Sequence, residues 1–391
     1  AIKQEALERF DTQRIRQDLV SKSAAFDAAY TMNVDDPRVE AAEGFLVLDA
    51  ANVREHLTSV ARTLAGARGA ALSGASVGSL AAEAGLPSAT AVISTWNKCE
   101  DVRANLLGLL AQTRPFDDIV VVDNASQDDT AEMIRSEFPS VRLIVMPHSA
   151  YGACETFNVG FASALTDLIA ILDDDVVLPP NWLQRSMDRL MQEPETTAIV
   201  STKIIEPGMP ESFLDSPALN TERYMSTFRG CASLARTRAV RQVGGYDERL
   251  FIYGNERDMT CRLLNLGYRV LQYPGAEAYH KTPFGVQLGQ RSLYYHARNA
   301  WLGMLKYAPW RDLVRMPWLV LTQVLLRGDK SEREGEVTDA TGTIGIGRAV
   351  RETPGAYWIL TKAACSVLWN VPYCLRRREP VTAPDFELPI H

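Results

Sequence analysis

The sequence predicts an α/β domain of alternating strands and helices over residues 89–284, with helical additions on both sides. Three observations carry that expectation. From residue 89 onward, short apolar runs alternate with segments of helical apolar spacing. One of those runs, Leu168–Leu172, stops at three consecutive carboxylates, Asp173, Asp174 and Asp175. The composition, 46% hydrophobic and 23% charged over 391 residues, is that of a globular chain with room for two or three domains.

Residues 1–88 read as a small, mostly helical accessory domain, with helices expected over Gln4–Val20 and Asn52–Ala67. The texture changes at residue 89. Thr90–Thr95 is an expected strand, and Asp101–Gln112 carries Val102, Leu106, Leu109 and Leu110 at helical spacing. Strands are then expected over Asp118–Asp123, Val141–Met146 and Leu168–Leu172, with helices over Asp128–Phe138 and Gly152–Leu165 between them. This order implies a parallel, doubly wound sheet with right-handed crossovers over 89–178. No Gly-x-Gly-x-x-Gly follows the first strand, so the dinucleotide fingerprint is missing.

The second half, 179–284, reads as a helix from Asn181, strands over Thr197–Ser201 and Phe228–Ala235, a helix over Glu256–Leu266 ended by Gly267, and a strand over Tyr268–Tyr273. Residues 285–391 form an aromatic and basic helical region containing Trp301, Trp310, Trp318, Trp358 and Trp369. Such helices suit a membrane interface, and they equally suit packing against the preceding domain. At this level both readings stand.

A net charge of −7 argues against general nucleic-acid affinity. Six scattered cysteines without a Cys-x-x-Cys pair favour reduced thiols and a cytoplasmic protein. The first residues lack the apolar core of a signal peptide. No run of 18 apolar residues exists, so no transmembrane helix is expected. A cytoplasmic protein, with peripheral contact at the inner face of the membrane through 285–391, fits these features.

Three adjacent acids repel one another at a strand end, and a divalent cation relieves that repulsion through hard carboxylate oxygens. Alternate residues share a side, so Asp173 and Asp175 converge on one ion while Asp174 points elsewhere. In an open α/β sheet, ligands gather at the carboxyl ends of strands. Taken alone, the stretch fits a solvated acidic turn before Pro179-Pro180 equally well.

Four features fall at those expected strand ends: Ser94-Thr95-Trp96-Asn97, Asp123 to Thr130, Asp173-Asp174-Asp175, and Asn255 to Asp258 with His280 downstream. In order and spacing, the region from about 89 to 300 resembles the family 2 glycosyltransferases of the GT-A fold, a mixed α/β sheet. It is most similar to the bacterial rhamnosyltransferase-like and galactofuranosyltransferase-like members. The resemblance implies an inverting transfer of a sugar from a UDP- or dTDP-sugar to a hydroxyl acceptor. It places Thr95, Asn97, Asp123, Gly152, Asn158 and Asp174 at the nucleotide-sugar, with Asp123 reading the nucleobase. It assigns Asp173, Asp175 and His280 to Mn²⁺ or Mg²⁺. The family's acidic base motif, anchored on Arg262, makes Glu256 the general base, with Asp258 as its rival and Asn255 in place of the usual first Glu.

The expected acceptor is a cell-envelope glycan or lipid-linked precursor, or alternatively a small natural-product aglycone. A homo-oligomer is compatible with this reading. The rivals are a nucleotidyltransferase, disfavoured because Ser94–Asn97 has neither Gly nor a basic cluster, and a non-catalytic glycan- or membrane-binding scaffold.

Overall fold

The computed structural model describes residues 87–285, 287–319 and 346–387. The helices expected over Gln4–Val20 and Asn52–Ala67 lie outside the described residues. From Ala89 the chain builds β1 (Ala89–Thr95), α1 (Cys99–Leu110), β2 (Asp118–Asp123), α2 (Thr130–Glu137), β3 (Arg142–Val145), α3 (Ala153–Ser163) and β4 (Leu168–Asp173). There follow β5 (Val176–Val177), α4 (Trp182–Gln192), β6 (Thr197–Ile205), α5 (Glu211–Leu214), α6 (Pro217–Asn220), β7 (Arg223–Tyr224) and β8 (Ala232–Arg236). Then come α7 (Thr237–Gln242), α8 (Asn255–Asn265), β9 (Arg269–His280), α9 (Gln290–Tyr307), α10 (Trp310–Leu319), α11 (Ile346–Glu352) and α12 (Ala356–Arg376).

One sheet holds all nine strands in the order β3-β2-β1-β4-β8-β6-β9-β5, with β7 added against β9. The first four strands are parallel, as the alternating pattern implies. The rest of the sheet departs from a purely parallel arrangement. β8 runs antiparallel between β4 and β6. Between β6 and β8 the chain passes through α5, α6 and β7, and β8 then runs back beside β6. β9 is longer than Tyr268–Tyr273. Its pairing with β6 jumps from Thr202↔Tyr273 to Lys203↔Glu277, a bulge over Pro274, Gly275 and Ala276, and it continues to His280.

Both faces of the sheet are covered, which explains why β1, β2 and β4 read as unbroken apolar runs. On one face α1, α2 and α4 contribute Leu106, Ile134 and Trp182 to a core with Ile93, Val121 and Leu172. On the other, Phe157, Phe161, Val240, Met259, Leu302 and Val367 pack on Val92, Ile169 and Ile171. α9 and α12 therefore belong to the second core. Burying one such large side chain contributes about 1.5–3 kcal/mol.

A buried ionic cluster ties these helices together. Lys306 of α9, fully buried, donates to Asp247 at 2.8 Å and to Asp258 of α8. Tyr373 of α12 donates to the same Asp247 carboxylate at 2.7 Å.

Candidate active site

β1, β2 and β4 end level, with Thr95 opposite Asp123 and Ser94 opposite Asp173. Their following loops open onto one cleft of about 520 Å³, lined by Thr95, Asn124, Tyr151 and the three aspartates. A second cavity of about 250 Å³ lies deeper, between β8, α8 and α9, and includes Glu256, Met304 and Phe386. Asp173, Glu206, Arg229, Tyr253, His280 and His296 line both, so the two are halves of one continuous site.

At the junction the structure brings Asp173, Asp175 and His280 together, with ligand atoms all within 4.8 Å of one another. His280 reaches them because β9 runs past its bulge and pairs Val176↔His280 beside the acidic turn. Its Nε2 is 3.0 Å from Asp175 Oδ1 and 3.7 Å from Asp173 Oδ2. Nδ1 lies 2.9 Å from Glu206 Oε1. Thr282 Oγ1 donates to Asp175 at 2.8 Å. Burial disfavours charge on His280, but the bonds to Asp175 and Glu206 and the Asp173 charge outweigh it and raise the pKa to about 10. Burial works against Asp175 as well, yet His280 and Thr282 hold it down at about 2. For Asp173, burial outweighs the pull of His280 and, with repulsion from Asp175, Glu256 and Glu206, raises it to about 6. The Asp173 carboxylate is thus the strained member of the cluster, and an added cation would relieve it. Two carboxylates and an imidazole whose far nitrogen rests on a third carboxylate are a donor set that fits a divalent ion.

Asp174 points away, accepting from Thr95 Oγ1 at 2.8 Å. Burial raises it to about 7 against that bond, with further push from Asp173 and Asp175. Asp123 is wholly buried at the end of β2. Burial pushes its carboxyl up, opposed by hydrogen bonds from Ser126. Asp123 does not itself line the cleft; its neighbour Asn124 does. Asn124 Nδ2 donates to the Tyr151 carbonyl at 2.9 Å, and its buried Oδ1 has no partner.

Asn97, at φ 54°, braces the neighbouring loop: its amide donates to Ser126 Oγ at 2.8 Å and its Oδ1 accepts from Gln127 at 2.7 Å. Gly152 starts α3 where a Cβ would lie 2.5 Å from the Phe251 carbonyl oxygen. Asn158 sits outside the cleft lining, bonded both ways to the Tyr246 backbone at 2.8 and 3.0 Å. In this structure Asn97, Gly152 and Asn158 therefore shape the walls rather than face the cleft.

Residues 90–244 match the sequence family described as Glycosyl transferase family 2. That segment is a family 2 glycosyltransferase domain. Among curated relatives, the pre-mycofactocin glycosyltransferase of Mycobacterium tuberculosis is 27% identical over 208 residues, covering 49% of this chain and 42% of that one. The N-acetylglucosaminyl-diphospho-decaprenol L-rhamnosyltransferase of the same organism is 26% identical over 219 residues, covering 44% of this chain and 68% of that one. The chain thus spans less than half the length of the first relative. Among solved structures, a mannosyltransferase from Pyrobaculum calidifontis in complex with GDP-Man and Mn²⁺ is 17% identical, covers 73% of this chain and 76% of that chain, and gives a TM-score of 0.46.

On the deeper side of the family 2 domain's cleft, the two rival acids occupy different environments. Glu256, in the first turn of α8, lines the deeper cavity. Its Oε1 accepts from Asn255 Nδ2 at 2.9 Å. Burial pushes its carboxyl above the ordinary glutamate range, against bonds from its own amide and Asn255 and the charge of Arg229. A Cβ on Gly230 would sit 2.3 Å from Glu256 Oε1, so this glycine makes room for the carboxylate. Asp258, one turn face away, is 2% exposed and fully engaged: by Lys306, by Arg262 at 2.9 Å and by the Tyr307 hydroxyl at 3.1 Å.

Glu206, Asn124 and His296 are site residues absent from the sequence-level assignment; Arg229 lines both cavities as well. Glu206 directly follows β6, and its signal was an acid at a strand's carboxyl end. Arg229 is anchored through its backbone, its amide donating to Ser201 Oγ at 2.8 Å and its carbonyl accepting from Ser233 Oγ at 2.6 Å. Its Nη2 is buried without a partner. His296 stacks on Tyr253 with centroids 4.3 Å apart, and burial alone depresses its pKa to about 4, so it presents a neutral ring.

Proposed function

We propose that the chain is an inverting, metal-dependent glycosyltransferase that moves a sugar from a UDP- or dTDP-sugar to a hydroxyl acceptor. The observation that supports it best is the continuity of the site: the Asp173–Asp175–His280 cluster and Glu256 open onto one cleft across a shared wall. Asp173, Asp175 and His280 would hold Mn²⁺ or Mg²⁺, with Glu206 fixing the imidazole so that Nε2 faces the ion. Bound there, the ion neutralises charge on a leaving nucleoside diphosphate.

The remaining roles belong to the chain's own groups. Asn124 Oδ1, beside Asp123, offers a buried acceptor to an imide N–H such as that of uracil or thymine. Asp174 buttresses Thr95 at the cleft floor. Arg229 presents an unpaired N–H to an oxyanion at the junction. Glu256 takes the proton from the acceptor hydroxyl, and its raised affinity for a proton improves it as a base near neutral pH. Asp258 is the poorer candidate because three donors already occupy its carboxylate. It instead fixes the start of α8, and hence Glu256.

The deeper cavity is walled partly by Met304, Ala300, Cys261 and Phe386, so the group bearing the acceptor hydroxyl has an apolar flank. That supports a lipid-linked or aglycone-bearing acceptor over a bare polar sugar. The reading is tested by calorimetry of UDP, dTDP, GDP and CDP with Mn²⁺ and again with EDTA, paired with product detection by mass spectrometry for Asp175→Ala and Glu256→Gln. Metal-dependent binding of UDP or dTDP, and loss of product in both variants, is the expected result. Full turnover in both variants would sink it.

A further inference from the structure

α12 carries two faces of opposite character. Ala356, Ile359, Ala363, Val367, Asn370 and Cys374 are buried against the core. The opposite face presents Tyr357, Trp358, Leu368 and Trp369, which are 85%, 65%, 70% and 86% exposed. On a helix these positions fall within one continuous outer strip, together with the exposed Lys362 and Arg376. The sequence of α12 contains no Asp or Glu. α10 repeats the pattern on a smaller scale: Trp310, Val314 and Trp318, spaced one turn apart, are 61%, 80% and 67% exposed, flanked by exposed Arg311 and Arg315. The start of α10 lies near the end of α12, where the guanidinium of Arg378, just beyond α12, is 4.1 Å over the Trp310 ring. No helix among the described residues is long and apolar enough to cross a membrane.

Exposed tryptophans in this number, flanked by cations, with Asp312 of α10 the one acid on the two helices, are out of place against water. Aromatic rings with a polar edge favour the level of lipid headgroups, and Lys or Arg beside them favour anionic lipid. We propose that the outer strip of α12, with the exposed side of α10, is a docking surface for an anionic lipid bilayer, lying in the interface without spanning it. Charge selects this occupant: Lys362 and Arg376 are the only charged groups on the α12 strip, and both are positive. The placement also suits the cleft. α9 packs against α12 through Arg298–Ser366, 2.9 Å, and lends Asn299, Gly303 and Met304 to the deeper cavity. The docked bilayer is then one helix away from the acceptor side. The inference does not depend on the transferase reading, because vesicle binding needs no turnover.

The test is flotation of the full chain with vesicles of phosphatidylcholine alone and of phosphatidylcholine with one quarter phosphatidylglycerol. Each basic residue near an anionic surface is worth roughly fivefold in partitioning. Lys362 and Arg376 therefore contribute about 25-fold to the preference for the anionic vesicles, to which Arg311 and Arg315 of α10 add; the preference is lost at high salt, and binding brings a blue shift of tryptophan emission. Trp358→Ser with Trp369→Ser should abolish binding to both vesicles, and Lys362→Glu with Arg376→Glu should cut the anionic preference by about 25-fold or more. Both double variants should keep wild-type thermal stability and nucleotide binding, since these side chains face outward. Equal flotation with neutral and anionic vesicles, or none with either, overturns the proposal. So does a wild-type dimer in size exclusion that the tryptophan variants convert to monomer, because a second copy would then cover the strip.

Discussion

Replacing Glu206 probes the metal cluster at a residue that does not itself contact the ion. Its Oε1 sits 2.9 Å from His280 Nδ1, and both side chains are about nine-tenths buried. Glu206→Gln keeps a carbonyl oxygen that can accept from Nδ1–H, so the tautomer survives while the charge is lost. Glu206→Leu removes the acceptor and leaves that N–H buried without a partner, a penalty of about 1–3 kcal/mol. Loss of such an outer partner weakens metal binding by about 10–100-fold. We therefore expect Mn²⁺ affinity to fall about tenfold in Glu206→Gln and about a hundredfold in Glu206→Leu. Titration of Mn²⁺ followed by electron paramagnetic resonance reads this directly, without donor or acceptor. Wild-type affinity in Glu206→Leu would refute the assignment of His280 as a ligand oriented by Glu206.

Four further variants probe the same geometry. Glu256→Gln should lower kcat by about 10²–10⁴-fold with nucleotide affinity unchanged, as steady-state kinetics beside calorimetry would show. Burial raises the folded-state pKa of Glu256 above its unfolded value, so its ionised form costs stability once pH exceeds that pKa. The same variant should therefore melt higher than wild type at pH 8, and the acid limb of the wild-type pH–rate profile should lie above the usual glutamate value; a lower melting temperature counts against the buried base. Gly230→Ala places a methyl against Glu256 Oε1 and should cut kcat by about a hundredfold with little change in melting temperature. Asn124→Leu should weaken UDP binding by about tenfold, measured by calorimetry, through loss of one hydrogen bond. Lys306→Met leaves Asp247 without its cation partner inside the protein and should destabilise the fold by about 3–5 kcal/mol in urea titration.

Part of this site was legible because it is local. β1, β2 and β4 are buried on both faces, so their apolar runs stand out, and the acids that end β4 lie at the edge where ligands gather. His280 became legible only through family resemblance, since Pro274 and Gly275 disguise the second half of β9. Glu206 was hidden for a related reason: Lys203, held by Glu277 at 3.1 Å, breaks the apolar run of β6 and made the strand look shorter than it is. The antiparallel insertion of β8 depends on pairing with strands distant in the chain, which no local pattern encodes. The choice between Glu256 and Asp258 rested on a lysine from another helix. Both acids suit the first turn of α8 equally, and Lys306 joins Arg262 in neutralising Asp258.

β9 has a bearing on how the molecule assembles. It pairs with β6 in parallel and with β5 and β7 in antiparallel fashion, and it delivers His280 beside aspartates placed far earlier in the chain. Pairings of such sequence separation form late, because the loop between the partners must close before any contact rewards it. During refolding, the parallel half from β1 to β4 can take shape while the imidazole is still distant from the acidic turn. On the proposed metal assignment, Mn²⁺ uptake would serve as a clock for the final docking of β9, slower than the rise of helical signal, and would mark the moment at which the two halves of the sheet become one cooperative unit.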